Sequence, residues 1–119
     1  MYVQGFLVPV PKSRIAAYKK VASTWAKAAK KNGAVGTTEC VADGKLEKGK
    51  WTSFPRAVKL KRNETVMFSW VIYKTKADSL RIMKKMMADP KLQKLMQPKK
   101  MPFDGKRMIW GGFKPIVKV

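Results

Sequence analysis

Histidine is absent from the 119 residues. This excludes imidazole general bases, Ser–His and Cys–His nucleophile pairs, and histidine-ligated metal or haem. The single cysteine, Cys40, has no partner for an internal disulfide and cannot supply a zinc thiolate set. A lone thiol suits a reducing cytosol, so a cytoplasmic setting is expected. Acidic residues are few, seven Asp and Glu against 27 Lys and Arg, for a net charge of +20. No apolar run is long enough to span a bilayer, and Met1-Tyr-Val-Gln-Gly5 lacks the basic segment of a signal peptide, so no membrane partner is expected. Neither repeats nor low-complexity tracts are visible. What is present is 45% hydrophobic and 10% aromatic residues, enough to fill the core of one domain spanning 1–119.

Alternation over 2–8 predicts a strand closed by Pro9 and Pro11, which cannot donate to a sheet ladder. From Lys12 to Lys31 the period lengthens: Ile15, Tyr18, Val21, Ala22, Trp25 and Ala29 form one face of an amphipathic helix that Asn32-Gly33 stops. A strand is expected over 34–42, a polar loop over 43–50, and an extended stretch over 51–61 interrupted by Pro55. Residues 65–74 form the clearest strand, with Met67, Ser69, Val71 and Tyr73 on one face and Val66, Phe68, Trp70 and Ile72 on the other. Thr75 and Asp78 have capping-box spacing ahead of a helix carrying Leu80, Ile82, Met83, Met86 and Met87. Asp89-Pro90 starts a shorter helix. Residues 107–117 complete the pattern as a strand with a bulge at Gly111-Gly112.

The order β-α-β-β-α-β predicts an α+β, ferredoxin-like protomer with helices on one face of its sheet. The other face would still hold large apolar groups, which are seldom left in water. A second copy is the simplest cover, so a homodimer formed through the sheet face, a dimeric α/β-barrel, is expected.

Tyr2-Val-Gln-Gly-Phe6, Thr52-Ser-Phe-Pro-Arg-Ala-Val-Lys59, Glu64-Thr65 with Phe68-Ser-Trp70, and Met101-Pro-Phe-Asp-Gly-Lys-Arg-Met108 with Gly111-Gly-Phe113 resemble the YbaA-like family of small bacterial proteins. The resemblance extends from the first strand to the last and is most specific over 101–113. It implies a ferredoxin-like protomer of the dimeric α/β-barrel superfamily, a homodimer and a cytoplasmic setting, and no reaction. The lysine-rich first helix and the sparse acids around Leu80, Met83 and Met87 depart from that family. Either a basic natural member or a rebuilt, engineered pocket on the family scaffold accounts for them.

Large adaptable side chains point to a cavity between sheet and helices for an apolar small molecule, with no cofactor expected. Tyr18, Trp25, Trp70, Leu80, Met83, Met87 and Trp110 are its candidate lining, and Ser69, Tyr2 and Tyr73 its polar handles. Cofactor-free, enzyme-like chemistry stays open, and no catalytic or metal-ligating residue is assigned. Glu39, with most of the other acids, falls to a structural role in a loop, turn or cap. The alternative is a nucleic-acid-associated protein using Lys30, Lys31, Lys84, Lys85, Lys99, Lys100, Lys106 and Arg107. A +20 domain binds polyanions non-specifically whatever its role. Against specific RNA recognition, Thr65-Val-Met-Phe-Ser-Trp-Val-Ile-Tyr73 does not match the aromatic ribonucleoprotein motif. Cys40 is expected to be a buried inert thiol and Asp104 a turn residue.

Overall fold

Period-two alternation of apolar side chains builds this protein around an antiparallel sheet. The computed structural model describes residues 1–47 and 49–119. Its elements run β1 (Tyr2–Pro11), α1 (Ile15–Lys31), β2 (Gly36–Val41), α2 (Phe54–Ala57), β3 (Glu64–Tyr73), α3 (Lys76–Met87), α4 (Pro90–Leu95) and β4 (Ile109–Phe113). Single 3-10 turns at Lys12–Arg14 and Gly105–Arg107 precede α1 and β4. The strand order is β2-β3-β1-β4, with every neighbouring pair antiparallel. The fold is α+β with the split β-α-β-β-α-β arrangement.

Four expectations need correction. β1 runs through Pro9 and Pro11 rather than stopping before them, because β4 pairs only with Val3–Leu7 and leaves one edge of β1 free beyond that point. A missing N–H on a free edge costs no ladder bond. Residues 51–61 are not extended: Ser53 accepts a hydrogen bond from the Arg56 N–H and Pro55 sits in the first turn of α2. That pairing of a serine cap with an early proline is a helix-start signal. β4 ends at Phe113 rather than 117, and its register with β1 is unbroken through Gln4↔Gly112 and Gly5↔Gly111, without a bulge. Gly112 has a packing reason instead, since a Cβ there would overlap the Tyr2 hydroxyl.

The caps otherwise follow the sequence signals. Thr75 accepts from Asp78 N–H at 3.0 Å to start α3, and Asp89 accepts from Lys91 N–H at 2.9 Å to start α4. Asp104 accepts from Lys106 N–H at 3.0 Å, a turn role as expected. Gly33, at φ 115°, ends α1 in a conformation suited to glycine.

Pairing puts directly opposed residues on the same side of the sheet. Tyr2, Gln4, Phe6, Val8 and Val10 of β1 and Met67, Ser69, Val71 and Tyr73 of β3 face the helices. Tyr73, Ile82, Met86, Val71, Ala29 and Leu92 form one core cluster; Val8, Val10, Met67 and Tyr18 form the other. The opposite face presents Val3, Leu7, Phe68, Trp70, Ile72, Ile109 and Phe113. Phe68 and Ile109 are each 43% exposed and Phe113 63% in the single chain. α2 lies beside that face, with Phe54 and Phe68 ring centroids 5.9 Å apart.

One ion pair ties the loops to the sheet. Arg107 Nη1 donates to Glu64 Oε2 at 2.5 Å, and Nη2 donates to Glu64 Oε1 at 3.0 Å and to the Val58 and Lys59 carbonyls at 3.1 and 2.9 Å. The Lys61 N–H adds a third donor to Glu64 at 2.8 Å. The guanidinium thus holds Lys59, whose φ is 50°, and the turn before β4 against the start of β3. Its hydrogen bonds hold the Glu64 carboxyl below its ordinary range. A carboxyl lowered on folding stabilises above its unfolded pKa, and that contribution fades as pH falls through the folded value. Arg107→Ala leaves the Glu64 side chain, 6% exposed, without its counter-charge. Urea denaturation at neutral pH should show a loss of about 3 kcal/mol, and the difference should shrink as pH falls, because the contribution that the variant lacks is the one that the unmodified protein loses in acid.

Candidate functional site

Helix α1 presents Tyr18, Val21, Ala22, Trp25 and Ala26 toward the sheet, a spacing that keeps them on one stripe. Beneath them are Phe6 and Val8 of β1, Ser69 and Val71 of β3, and Thr37 and Glu39 of β2. Met96, just past α4, and Met101, Phe103 and Met108 from the segment leading to β4 close the remaining side. They line a half-open pocket of about 120 Å³. That is the scale at which an apolar cavity holds one small ring; one of roughly 150 Å³ admits benzene.

The polar groups gather on one wall. The Tyr18 hydroxyl donates to Glu39 Oε1 at 2.6 Å, bridging α1 to edge strand β2, while the Phe103 ring meets Tyr18 edge-on at 5.5 Å between centroids. Ser69 and Glu39 are paired across β3 and β2, so both point to this wall. Burial pushes the Tyr18 phenol well above its ordinary pKa; the bond to Glu39 and its charge push the same way, and Ser69 offsets this only in part. Tyr18 is 8% exposed, so the proton stays on the phenol and the carboxylate is the acceptor. Among the described residues Tyr18 is the sole hydrogen-bond partner of the Glu39 carboxylate, and no Lys or Arg pairs with it.

The structure brings Tyr18, Trp25 and Ser69 together as expected and leaves the other candidates outside. Trp70 lies on the open sheet face, opposite Gly5 and Thr38. Leu80 and Met87 are 64% and 54% exposed, and Met83 is half-buried, because α3 buries Ser79, Ile82 and Met86 instead. Its inward stripe is rotated from the one that would aim Leu80, Met83 and Met87 at a pocket. Trp110 faces the helix side from edge strand β4 but is 62% exposed and does not line the pocket. Tyr2 and Tyr73 form a separate polar cluster, in which Tyr73 donates to buried Gln4 at 3.2 Å.

Glu39 lines the pocket, a placement that sequence reasoning does not assign, and it remains exposed there. Alternation through Thr37 and Glu39 is the available signal, since it places both on the helix side of edge strand β2.

A second hollow of about 140 Å³ lies beside Phe54, Phe68 and Cys40. It contains no polar wall of this kind. Cys40 is half-buried on the open face opposite Phe68, rather than deep in the core. Of the basic candidates, Lys30 and Lys31 end α1, Lys84 and Lys85 lie in the last turn of α3, Lys99 and Lys100 follow α4, and Lys106 and Arg107 form the turn before β4. Cations at helix C-termini also complement the helix dipole, and the Arg107 guanidinium is engaged by Glu64. Among the described residues, no group of three His, Cys, Asp or Glu is placed to hold a metal ion, and no helix is long and apolar enough to cross a membrane.

Residues 1–105 match the profile of a family described as a protein of unknown function, DUF1428. Over 116 residues the chain is 43% identical to the uncharacterized protein YbaA of Escherichia coli K12, covering 98% of this chain and 97% of that one; the YbaA of Shigella flexneri matches to the same extent. Among solved structures, an uncharacterized NIPSNAP domain protein from Burkholderia xenovorans superposes with a TM-score of 0.56 at 13% identity, covering 97% of this chain and 94% of that one. That likeness extends to the fold.

The position of Tyr18 has a spectroscopic consequence. In an alkaline absorbance titration, Tyr18→Phe should reach the same tyrosinate signal as the unmodified protein up to about pH 11, since an ordinary tyrosine titrates near 10 and Tyr18 does not. A signal smaller by one tyrosine would place the Tyr18 hydroxyl in water.

Proposed function

Because the chain belongs to the DUF1428 family of proteins of unknown function, we propose a function from its geometry: a homodimeric binding protein that takes an apolar small molecule between α1 and the sheet. The observation that carries the proposal is the pocket itself, apolar on three sides and polar on the Tyr18–Glu39–Ser69 wall. Well-formed apolar pockets with a few convergent polar groups are the usual form of a ligand site. Enzyme-like, cofactor-free chemistry has no assigned residue here, and binding is the function the site supports.

The second copy is proposed from charge and exposure together. In a chain of net charge +20, the large open-face side chains of the central sheet, Val3, Leu7, Phe68, Trp70, Ile72, Ile109 and Phe113, are all uncharged, and the one acid at the end of that face, Glu64, is buried and paired with Arg107. An uncharged, self-complementary surface suits a two-fold contact, whereas a nucleic acid would need cations there.

Ala22→Phe fills the pocket from α1, one turn from Tyr18, and keeps both members of the Tyr18–Glu39 pair. Titration with a hydrophobic fluorophore should show saturable binding to the unmodified protein and at least tenfold weaker binding to the variant. Absence of saturable binding to the unmodified protein overturns the proposal.

Dimerisation opposes the repulsion of two cationic chains, so it should strengthen as salt rises, opposite to polyanion binding. Sedimentation at about 0.15 M salt should show a dimer, and Phe68→Lys should give single chains that retain the native circular dichroism spectrum. A single chain at all salt concentrations rules out the dimer, and polynucleotide binding that persists with sequence preference at high salt would favour the nucleic-acid alternative.

A further inference from the structure

The pocket reverses the sign of the molecule around it. There are 27 Lys and Arg in the chain, yet none lines this space, and its one charged side chain is the Glu39 carboxylate. Tyr18 occupies one lone-pair direction of Oε1, and among the described residues Oε2 has no protein partner. An ionised carboxylate accepts and cannot donate. The phenol of Tyr18 already spends its only proton on Glu39, so it offers a ligand no second donor. Ser69 and Thr37 also line the space with hydroxyls that can donate or accept, but only a ligand that supplies its own proton satisfies the charged acceptor, and a ligand bringing a carboxylate would set two like charges together.

The remaining walls define the rest of the ligand. Phe6, Trp25, Phe103 and the Tyr18 ring surround a space sized for a single ring, and Met96, Met101 and Met108 are soft sulfur groups that pack well against ring edges. A cationic amine would satisfy Glu39 but would have to shed its hydration among apolar walls, a cost that falls heavily on a charged group. A neutral hydroxyl meets no such barrier.

Resting on the small-molecule pocket proposed above, we infer that its ligand is a neutral aromatic ring bearing a hydroxyl group, a phenol-class compound whose O–H donates to Glu39, and that acidic aromatics are rejected. Hydrogen bonds to an ionised acceptor are shorter and roughly twice as strong as neutral ones, so this one contact separates ligands of equal size.

Three single-ring probes, phenol, toluene and benzoate, test the inference by ligand-observed NMR titration of the unmodified protein, Glu39→Gln and Ala22→Phe. Phenol should bind at least tenfold tighter than toluene, and benzoate should bind weakest of the three despite its attraction to the cationic surface. Glu39→Gln keeps an acceptor but removes the charge. It should narrow the phenol preference over benzoate at least fivefold while toluene changes less than twofold. Ala22→Phe should abolish binding of all three.

Toluene binding as well as phenol, with Glu39→Gln without effect, overturns the inference about the ligand's donor and leaves the pocket standing. Benzoate binding tightest, in an Ala22→Phe-sensitive manner, overturns it too. If none of the three binds saturably, or if binding is indifferent to Ala22→Phe, the pocket proposal falls and takes this inference with it.

Discussion

The alternation along β3 is the constraint on which the molecule depends. Each residue of Glu64–Tyr73 is committed to one side of the sheet, and both sides are apolar. On one side Met67, Val71 and Tyr73 are covered by α1, α3 and α4 and become core. On the other, α2 is beside Phe68, and Phe68 remains 43% exposed. A register slip of one residue would exchange the two sets and place Ser69, which belongs to the pocket wall, on the open face. Core, pocket wall and open face are therefore set by one strand's register.

Much of this pattern is legible in the sequence. The two faces of β3, the stripe on α1 and the caps at Thr75 and Asp89 all rest on local periodicity or local hydrogen bonding, and the structure bears them out. The failures involve information that is not local. Which stripe of α3 turns inward depends on how it docks: Leu80, Met83 and Met87 and the true set of Ser79, Ile82 and Met86 are neighbouring stripes of one helix. A small polar residue, Ser79, is buried because its hydroxyl donates to the Lys76 carbonyl at 2.6 Å, which removes its need for water. Likewise the glycine at 112 is explained by the Tyr2 hydroxyl, which is distant in sequence. The short helix α2 is legible in Ser53 and Pro55, but a proline between apolar residues reads equally as a strand interruption, and only the serine cap decides for a helix start.

The site is half-legible for the same reason. Tyr18 and Trp25 belong to the strong period of α1, and Ser69 to that of β3. The closing wall of Met96, Met101, Phe103 and Met108 comes from a segment with little regular structure, whose path no periodicity announces. Phe103 reaches the pocket beside a chain of anchors: Asp104 caps the turn, Arg107 grips Glu64, and β4 then pairs with β1. The ion pair at the sheet's end therefore has a bearing on the pocket, because it fixes the end of the segment from which Phe103 and Met108 project.

Local and global electrostatics oppose each other at this pocket, and their ranges decide which prevails. A ligand carboxylate about 4 Å from Glu39 is repelled by roughly 1 kcal/mol in a water-like medium and by about 4 at an effective dielectric constant of 20. A lysine about 15 Å away attracts it by about 0.3 kcal/mol in water, and screening over a Debye length of about 8 Å cuts that to a few hundredths. Twenty such net charges sum to under about 1 kcal/mol. The contact term is comparable to the field in a water-like medium and exceeds it at the lower effective dielectric constant, and its advantage grows with salt, because added ions screen the distant lysines before they screen a partner in contact. A strongly basic surface is thus compatible with a pocket that refuses anions. The surface charge governs what accumulates near the protein, and in the proposed binding function the Tyr18–Glu39 wall governs what enters.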